Sequence, residues 1–203
     1  MGILNFGGSN DFALQLALKE WGIKQQEVNV IVGGDAPTRL LSLSVGRIDA
    51  AILSPPHLTM AAKAGFRILA DMGEMRANFS QSTVYARRST LRENRDVAKR
   101  FLKAYSEAIH VIRTDRERTL RVFAKRMRLD DSEILNATYD YYAPRFSFPP
   151  RVDMAGIKDT LDFYAERNPE VKNRNPQDFV DQTFLNELEK EGFFKSLGLQ
   201  SGR

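Results

Sequence analysis

The chain has 203 residues, of which 42% are hydrophobic and 28% are charged, a mixture that suits one or two globular domains. It contains no cysteine, which excludes disulfides, thiolate metal sites and cysteine nucleophiles. With only two histidines and no helical pair of them, no metal site is expected. No run of about 18 apolar residues is present, and the opening Met1-Gly2-Ile3-Leu4 lacks the pattern of a secretory signal.

The net charge of +4 is unevenly distributed along the sequence. Residues 1–75 carry six Lys/Arg and seven Asp/Glu, a net charge of −1, so the remaining residues hold +5. A basic second half can indicate nucleic-acid binding, but Glu93, Asp96 and Glu107 interleave with its basic residues. We therefore interpret this half as solvated helix surfaces of mixed sign and expect no nucleic-acid partner.

The first 75 residues alternate between short apolar segments and helical patterns. Strands are predicted at residues 3–6, 28–32, 48–53 and 66–70. Helices are predicted at residues 12–21, 35–45 and 56–64, with Asp35 as a helix cap. The second helix is expected to bury a stripe of four apolar residues, Leu40, Leu41, Leu43 and Val45. Strand–helix alternation with short connections predicts a parallel sheet with right-handed crossovers.

The segment from residue 48 to residue 53 is central to this pattern. It is apolar except for Asp49, and glycine and proline residues bound it at Gly46 and Pro55. Such a run is typical of a strand buried on both faces of a parallel sheet. Because a buried carboxylate needs hydrogen-bond donors, we expect Asp49 to bond to backbone N–H groups or to Arg47.

The remainder of the sequence predicts helices. Residues 72–82 read as a connector and residues 83–87 as a short returning strand. The following helices are expected to begin at a capping box of Thr90 with Glu93, at Asp115, at a cap of Asp130 or Asp131, at Asp153 and at Asn175-Pro176, and the tail at 201–203 is expected to fray.

Three strand-to-helix corners carry the residue types expected of a ligand site. Ligands of open parallel sheets bind beyond the carboxyl ends of the strands, where helix N-termini offer unpaired N–H groups to anions. The predicted ligand-binding residues are Gly8, Ser9, Asn10, Gly34, Asp35, Ser54, Pro55 and His57. Each also has a structural explanation as an ordinary turn, cap or surface residue.

No catalytic arrangement is recognised in the sequence. It has no Gly-x-Ser-x-Gly elbow, no Gly-x-x-x-x-Gly-Lys phosphate loop and no complete dinucleotide fingerprint. We therefore predict no enzymatic activity, no catalytic residues, no cofactor and no bound metal.

Several segments, taken in order, resemble a known family. They are Val32-Gly33-Gly34-Asp35, Gly46-Arg47-Ile48-Asp49-Ala50-Ala51-Ile52, Ala64-Gly65-Phe66-Arg67-Ile68-Leu69-Ala70, Val84-Tyr85-Ala86-Arg87 and Arg100-Phe101-Leu102-Lys103-Ala104-Tyr105. The ending with Pro176, Phe179, Leu188 and Gly192 is similar too. Together they resemble periplasmic solute-binding proteins of ABC importers, in the branch for nitrate, sulfonate, taurine and thiamine precursors.

The resemblance implies a type II periplasmic-binding-protein-like α/β lobe with a parallel three-layer sheet at residues 1–75. Residues 76–90 would form a crossover and returning strand, and residues 91–203 the helical C-terminal region of the first lobe. It also implies capture of a small anionic or organic solute between lobes, docking on an ABC permease in the membrane, and a periplasmic location. By the resemblance, this sequence is expected to lack most of the first lobe, so the chain would be a solute-binding protein or a truncated remnant of one, and a homodimer or the missing N-terminal lobe would complete the fold.

Two other functions remain open from the sequence. One is a thiamine-pyrimidine-precursor binding or synthesis protein of the same fold, although its synthetic branch uses a cysteine-rich segment that this chain lacks. The other is an effector-sensing regulatory domain, which normally follows a helix-turn-helix that is not seen here.

Overall fold

The computed structural model of the chain describes residues 1–72, 74, 83–166 and 168–198, and most of these residues are helical. The strands and α-helices are β1 (Gly2–Ile3), α1 (Ser9–Glu20), β2 (Ile31–Val32), α2 (Ala36–Ser44), α3 (His57–Lys63), α4 (Arg88–Glu93), α5 (Arg95–Thr114), α6 (Arg116–Met127), α7 (Ser132–Tyr142), α8 (Met154–Ala165), α9 (Thr183–Lys190) and α10 (Phe193–Ser196). Short 3-10 helices lie at Gln25–Glu27, Ala143–Arg145, Pro169–Val171 and Pro176–Phe179.

The chain divides into two compact units. Unit 1 contains the described residues of Met1–Ala77 together with Asp131–Thr138, and unit 2 contains those of Asn78–Asp130 and Tyr139–Arg203. The predicted assignment of residues 1–75, 76–90 and 91–203 to lobes stays a prediction. The predicted connector at 72–82 lies mostly, and the predicted frayed tail at 201–203 entirely, outside the described residues.

In unit 1, three segments run parallel to one another. β1 pairs with β2, with Gly2 opposite Ile31. On its other side Gly2 forms a parallel bridge with Ala51, and the Gly2 N–H donates to the Ala50 carbonyl at 2.9 Å. β1 therefore lies between β2 and the third segment. The parallel direction predicted for these segments is confirmed, but the strands are too short to establish the predicted three-layer sheet.

The observed strands are shorter than the predicted ones for a geometric reason. Because β1 pairs only over two residues, its neighbours can form a ladder only over that length. The strand predicted at 28–32 is reduced to β2, and the one predicted at 48–53 to a single bridge. The strands predicted at 66–70 and 83–87 are wrong, since neither segment is extended in a ladder in the described structure.

Helix α1 covers the short sheet of unit 1. Ile3, Leu14 and Leu18 are buried together, and half-buried Met1, Val28, Val30 and Ile52 pack against them. The apolar character predicted for α1 is thus used in the core, since burying such side chains is the main favourable term in folding.

Helix α2 differs from its prediction in the face that it buries. Leu41 and Val45 are 63% and 58% exposed, while Arg39 is only 4% exposed. The predicted stripe of Leu40, Leu41, Leu43 and Val45 is therefore wrong, because residues so closely spaced cannot all share one side of a helix.

The prediction for Asp49 is also wrong. Asp49 is exposed, whereas the preceding Ile48 is only 5% exposed. Asp49 lies at a bend, and the segment pairs with β1 only at Ala51, so no strand holds the Asp49 side chain against the core.

Unit 2 is built around α5, which packs against α6 and α9. Its core joins Leu185, Leu188 and Phe194, with half-buried Leu102, Phe148 and Phe193 around them. Ion pairs between α5 and α9 run along the surface, including Arg95 Nη2 to Glu187 Oε1 at 2.5 Å. They orient α9 but are exposed, so each contributes little to stability.

The starts predicted for three of the later helices are confirmed to within one residue. The side chains of Asp115, Asp131 and Asp153 accept backbone N–H bonds at the starts of α6, α7 and α8. The capping box at Thr90 is wrong, since Thr90 lies inside α4 and α5 begins at Arg95.

The start predicted for the last helix is also wrong. Asn175 instead caps the 3-10 helix Pro176–Phe179, and α9 begins only at Thr183. Phe179 would lie on the buried side of a helix that began at Asn175, but its side chain is 58% exposed.

Candidate functional site

The corner after β2 is shaped by a glycine and an aspartate. Gly34 has a φ of +80°, a conformation that glycine adopts without strain. Asp35 caps α2, and its Oδ1 accepts from the Thr38 N–H at 3.0 Å and from the Thr38 hydroxyl at 2.5 Å. These bonds lower the pKa of Asp35 from its ordinary value of 3.8. The α2 N-terminus therefore already holds a carboxylate of the protein itself.

Arg39 ties this corner to the third segment. Its Nε and Nη2 donate to the Ile52 carbonyl at 3.3 and 3.1 Å, and its Nη1 donates to the Gly34 carbonyl. Glycines give the side chain room, since a Cβ at Gly33 would lie 3.0 Å from Arg39 Cγ. Burial lowers the pKa of Arg39, while Asp35 opposes that shift, and a guanidinium remains protonated in either case. Arg39 thus places a fixed positive charge behind the edge of the sheet.

The third corner contains Ser54, Pro55 and His57. Ser54 is exposed, and its carbonyl accepts from the Leu58 N–H at 3.1 Å, while Pro55 is buried. His57 is half-buried at the first residue of α3. Burial is the main cause that lowers the pKa of His57 from its ordinary value of 6.5; Asp35 opposes it and Arg39 adds to it. His57 is consequently neutral at pH 7.

The first corner follows β1 and leads into α1. Gly8 is the residue before the helix, and its carbonyl accepts from the Phe12 N–H at 3.0 Å. Ser9 is half-buried in the first turn, and Asn10 Oδ1 accepts from the Leu4 N–H at 3.2 Å. Asp11 is fully buried there and accepts from the Gly7 N–H at 2.8 Å. The N-terminal turn of α1, like that of α2, carries its own carboxylate.

The structure brings two of the three predicted corners together directly. Asp35, Arg39 and His57 lie close enough for their charges to shift one another's pKa values. In the described structure, no hydrogen bond joins Gly8, Ser9 or Asn10 to that group. Their place at the same edge follows from the parallel pairing of β1 with its two neighbours. A ligand-binding role for the eight predicted residues stays a prediction.

Two polar residues at this edge were missed by the sequence analysis, namely Arg39 and Asp11. Both are almost completely buried. The sequence analysis predicted no ligand-binding role for either residue. Their positions in the sequence could have indicated a role, because each lies in the first turns of a helix that follows a strand.

A small surface cavity of about 200 Å³ lies in unit 2, and none of the predicted residues lines it. His110, Arg113 and Phe148 line it, with Thr114, Leu197 and Gly198. The His110 ring packs on Phe148 with centroids 5.4 Å apart, and Arg113 Nη1 donates to the Phe146 carbonyl at 2.8 Å. These contacts give both polar residues a structural role.

Membrane-spanning helices and metal-binding clusters are both absent from the described residues. None of the helices there is long and apolar enough to cross a membrane. Within the same ranges, no three side chains from His, Cys, Asp and Glu lie together in a way that could hold a metal ion.

Parallel segments with polar residues at their carboxyl ends are typical of α/β proteins that bind small molecules. A sequence profile described as the NMT1-like family matches residues 1–128, and the chain belongs to that family. It is part of the periplasmic solute-binding family of nitrate, sulfonate, taurine and thiamine-precursor binders. Such proteins generally bind rather than catalyse, and are typically periplasmic or extracellular. No curated protein and no solved structure matches the chain.

Proposed function

We propose that this chain captures a small solute at the carboxyl edge of unit 1 and hands it to an ABC permease, without catalysis. The observation that carries this proposal is the parallel pairing of β1 with β2 and with Ala51, which directs three polar corners to one edge. Membership of a solute-binding family supports the same function. A periplasmic location, and a second copy or separate lobe that closes the site, belong to this proposal.

The solute that we propose carries a negatively charged group, as in a sulfonate, nitrate or organic acid. The fixed charge of Arg39 supports this choice, and His57 and Ser54 lie at the edge as hydrogen-bonding groups. The starts of α1 and α2 are less suitable for an anion, because Asp11 and Asp35 already provide carboxylates there. The anionic group is therefore expected beside Ser54 and His57.

A solute rich in N–H donors, such as an aminopyrimidine of the thiamine-precursor type, is the second candidate. The observation that favours it is Asp35, which is exposed and accepts the two hydrogen bonds from Thr38 through Oδ1 alone. An outward carboxylate oxygen accepts hydrogen bonds from amino groups and repels anions.

A thermal-shift panel with a sulfonate, nitrate, a dicarboxylate and an aminopyrimidine tests both candidates. A true ligand at about 100 times its dissociation constant should stabilise the folded chain by roughly 2.7 kcal/mol. Stabilisation by the aminopyrimidine alone would replace the anion with the second candidate. If no member of the panel raises the melting temperature, solute capture by this chain alone is wrong.

Serine variants then locate the ligand on the edge. Ser54→Ala and Ser9→Ala should each weaken binding by about 1 kcal/mol, the usual contribution of one hydrogen bond. Ser44→Ala is the matched control, because the Ser44 hydroxyl already donates to the Leu40 carbonyl at the other end of α2. Equal affinity of all three variants and the unchanged chain would remove both serines from the site.

A further inference from the structure

Helix α6 of unit 2 presents an exposed face of unusual charge. From residue 116 to residue 128 the sequence has six cationic residues and a single carboxylate, Glu117. Arg118, Arg121 and Lys125 recur at positions i, i+3 and i+7, which places them on one stripe of the helix. All three are exposed, while Thr119, which follows Arg118 in the sequence, is only 2% exposed. We call the set Arg118, Arg121, Val122, Lys125, Arg126 and Arg128 the basic face.

Most cations of the basic face have no counter-charge. Of the acidic groups beside α6, Asp140 pairs with Arg116 and Glu117 pairs with Arg121 at 2.6 Å, while the exposed Asp130 forms no ion pair in the described structure. Asp115 accepts the backbone N–H at the start of the helix. In the described part of the chain, no ion pair involves Arg118, Lys125, Arg126 or Arg128. Four uncompensated charges thus lie along a helix of about 18 Å.

The helix dipole explains only part of this arrangement. Cations in the last turn are favourable, which gives Lys125 and Arg126 a structural reason to be there. Arg118 lies in the first turn, where the dipole disfavours a positive charge. Arg128 ends the helix at a φ of +53°, a position at which glycine or asparagine is usual. The positions of these two arginines go against local helix preference and extend the same positive face.

We propose that the basic face is a docking surface for an anionic phospholipid bilayer. Lys and Arg near a membrane surface are attracted by the phosphates of anionic lipids. Val122, which is 49% exposed in the middle of the stripe, suits the boundary between headgroups and acyl chains. Nucleic acid fits less well, because this face has no aromatic side chain on which bases could stack and because an exposed valine among the cations gains nothing from a phosphate backbone. The proposal does not depend on the solute-binding function.

Vesicle co-sedimentation of the full chain tests the proposal. The chain should bind vesicles of equal parts phosphatidylglycerol and phosphatidylcholine at about 20 mM salt, and should be released at about 500 mM salt, where the Debye length is short. Vesicles of phosphatidylcholine alone should bind little. Equal binding to both vesicle types, or no binding at low salt, overturns the proposal.

A charge-matched pair of variants identifies the surface. The triple variant Arg118→Gln, Lys125→Gln and Arg128→Asn should bind the anionic vesicles about 100-fold more weakly, because each cation contributes to the electrostatic attraction. The control Lys19→Gln, Arg47→Gln and Arg67→Gln removes the same net charge at exposed positions of unit 1 and should bind like the unchanged chain. Equal weakening in both triple variants would mean that net charge, not the basic face, governs binding.

Two further measurements separate the remaining outcomes. The single variant Arg118→Gln should weaken binding about fivefold, and it keeps the test valid if the triple variant fails to fold. Fluorescence anisotropy with a short DNA duplex examines the competing partner. Binding of the duplex that depends on Arg118 and Lys125, without binding to anionic vesicles, would replace the membrane with nucleic acid and overturn the proposal.

Discussion

Arg39 holds together two of the strand ends that form the candidate site. Its guanidinium makes three hydrogen bonds to the carbonyls of Gly34 and Ile52. In Arg39→Met these buried acceptors lose a charged donor, so we expect a loss of about 2–3 kcal/mol in the free energy of unfolding. The free energy of unfolding of Arg39→Lys should lie between those of Arg39→Met and the unchanged chain, because an ammonium lacks the planar fork of donors that reaches both carbonyls.

The loss can be assigned to unit 1 by its fluorescence. Trp21 is the sole tryptophan of the chain and follows α1 directly, so urea unfolding followed by its emission reports on this unit. Arg47→Met is the matched control, since Arg47 is exposed and should change stability by no more than about 0.5 kcal/mol. If Arg39→Met and Arg47→Met are equally stable, the hydrogen bonds of Arg39 do not hold the edge together.

Single residues were predictable from the sequence only where their role is local. Asp35 was identified as a cap, and Asp131 as one of two candidate caps, because a cap bonds to N–H groups two or three residues away. The partners of Arg39 include the carbonyl of Ile52, 13 residues along the chain on another segment. The hydrophobic pattern of α2 contains no information on a contact with another segment, so the sequence did not predict the burial of Arg39.

At the scale of elements, α7 is fixed at its start by Asp131. Its carboxylate accepts from the N–H groups of Glu133 and Ile134 and pairs with Lys63 at 3.0 Å. The Ile134 N–H bond, followed by Lys63, lowers the pKa of Asp131 from its ordinary value of 3.8. A lowered pKa means that the stability from this group is present above about pH 4 and is lost as the pH falls through the folded value.

Asp131→Asn isolates this pH dependence, because asparagine also caps helices but carries no charge. We expect the variant to be less stable than the unchanged chain at pH 7, and the gap to close as the pH falls through the lowered pKa of Asp131 in the folded chain. Urea unfolding followed by Trp21 emission at several pH values measures it. The neighbouring Asp130→Asn serves as control, since Asp130 is exposed and makes no described ion pair. A gap that persists unchanged in acid would contradict a charge-based role for Asp131.

Helices were predicted better than strands for a physical reason. The pattern of a helix is completed within its own segment, so capped helices such as α6 and α8 begin within a residue of their predicted starts. A strand needs a partner, and its length is set by the shortest member of the ladder. Because β1 spans two residues, the apolar run at 48–53 pairs only at Ala51. Its sequence indicated a buried parallel segment but not the extent of its pairing.

For the whole molecule, the most informative property is the apolar surface that remains exposed. Val32, Leu41 and Phe101 are each more than half exposed. On α5, Ile109 is buried at 3% exposure, whereas Phe101 on the same helix is 51% exposed. Large apolar side chains in contact with water favour association with another surface. We therefore expect the purified chain to bind a hydrophobic dye in its folded state.

The open side of β2 is the place where association of whole molecules should begin. β2 pairs with β1 along one side, and no further strand follows it in the described structure. Both of its side chains, Ile31 and Val32, are substantially exposed. An apolar edge strand of this kind offers backbone groups to a strand of a second copy, and a lysine on the edge opposes that pairing. We expect the chain to self-associate with rising concentration in sedimentation velocity experiments, and Val32→Lys to reduce this.

The control for this experiment is a valine of similar exposure that lies on a helix. Val97 on α5 is 54% exposed, against 58% for Val32, so Val97→Lys makes the same change in charge and apolar area without touching a strand edge. If both lysine variants reduce association equally, general repulsion between charged copies is responsible. If neither does and the chain stays monomeric at all concentrations, the β2 edge is not an association surface. A selective effect of Val32→Lys would place pairing between copies at the edge of β2.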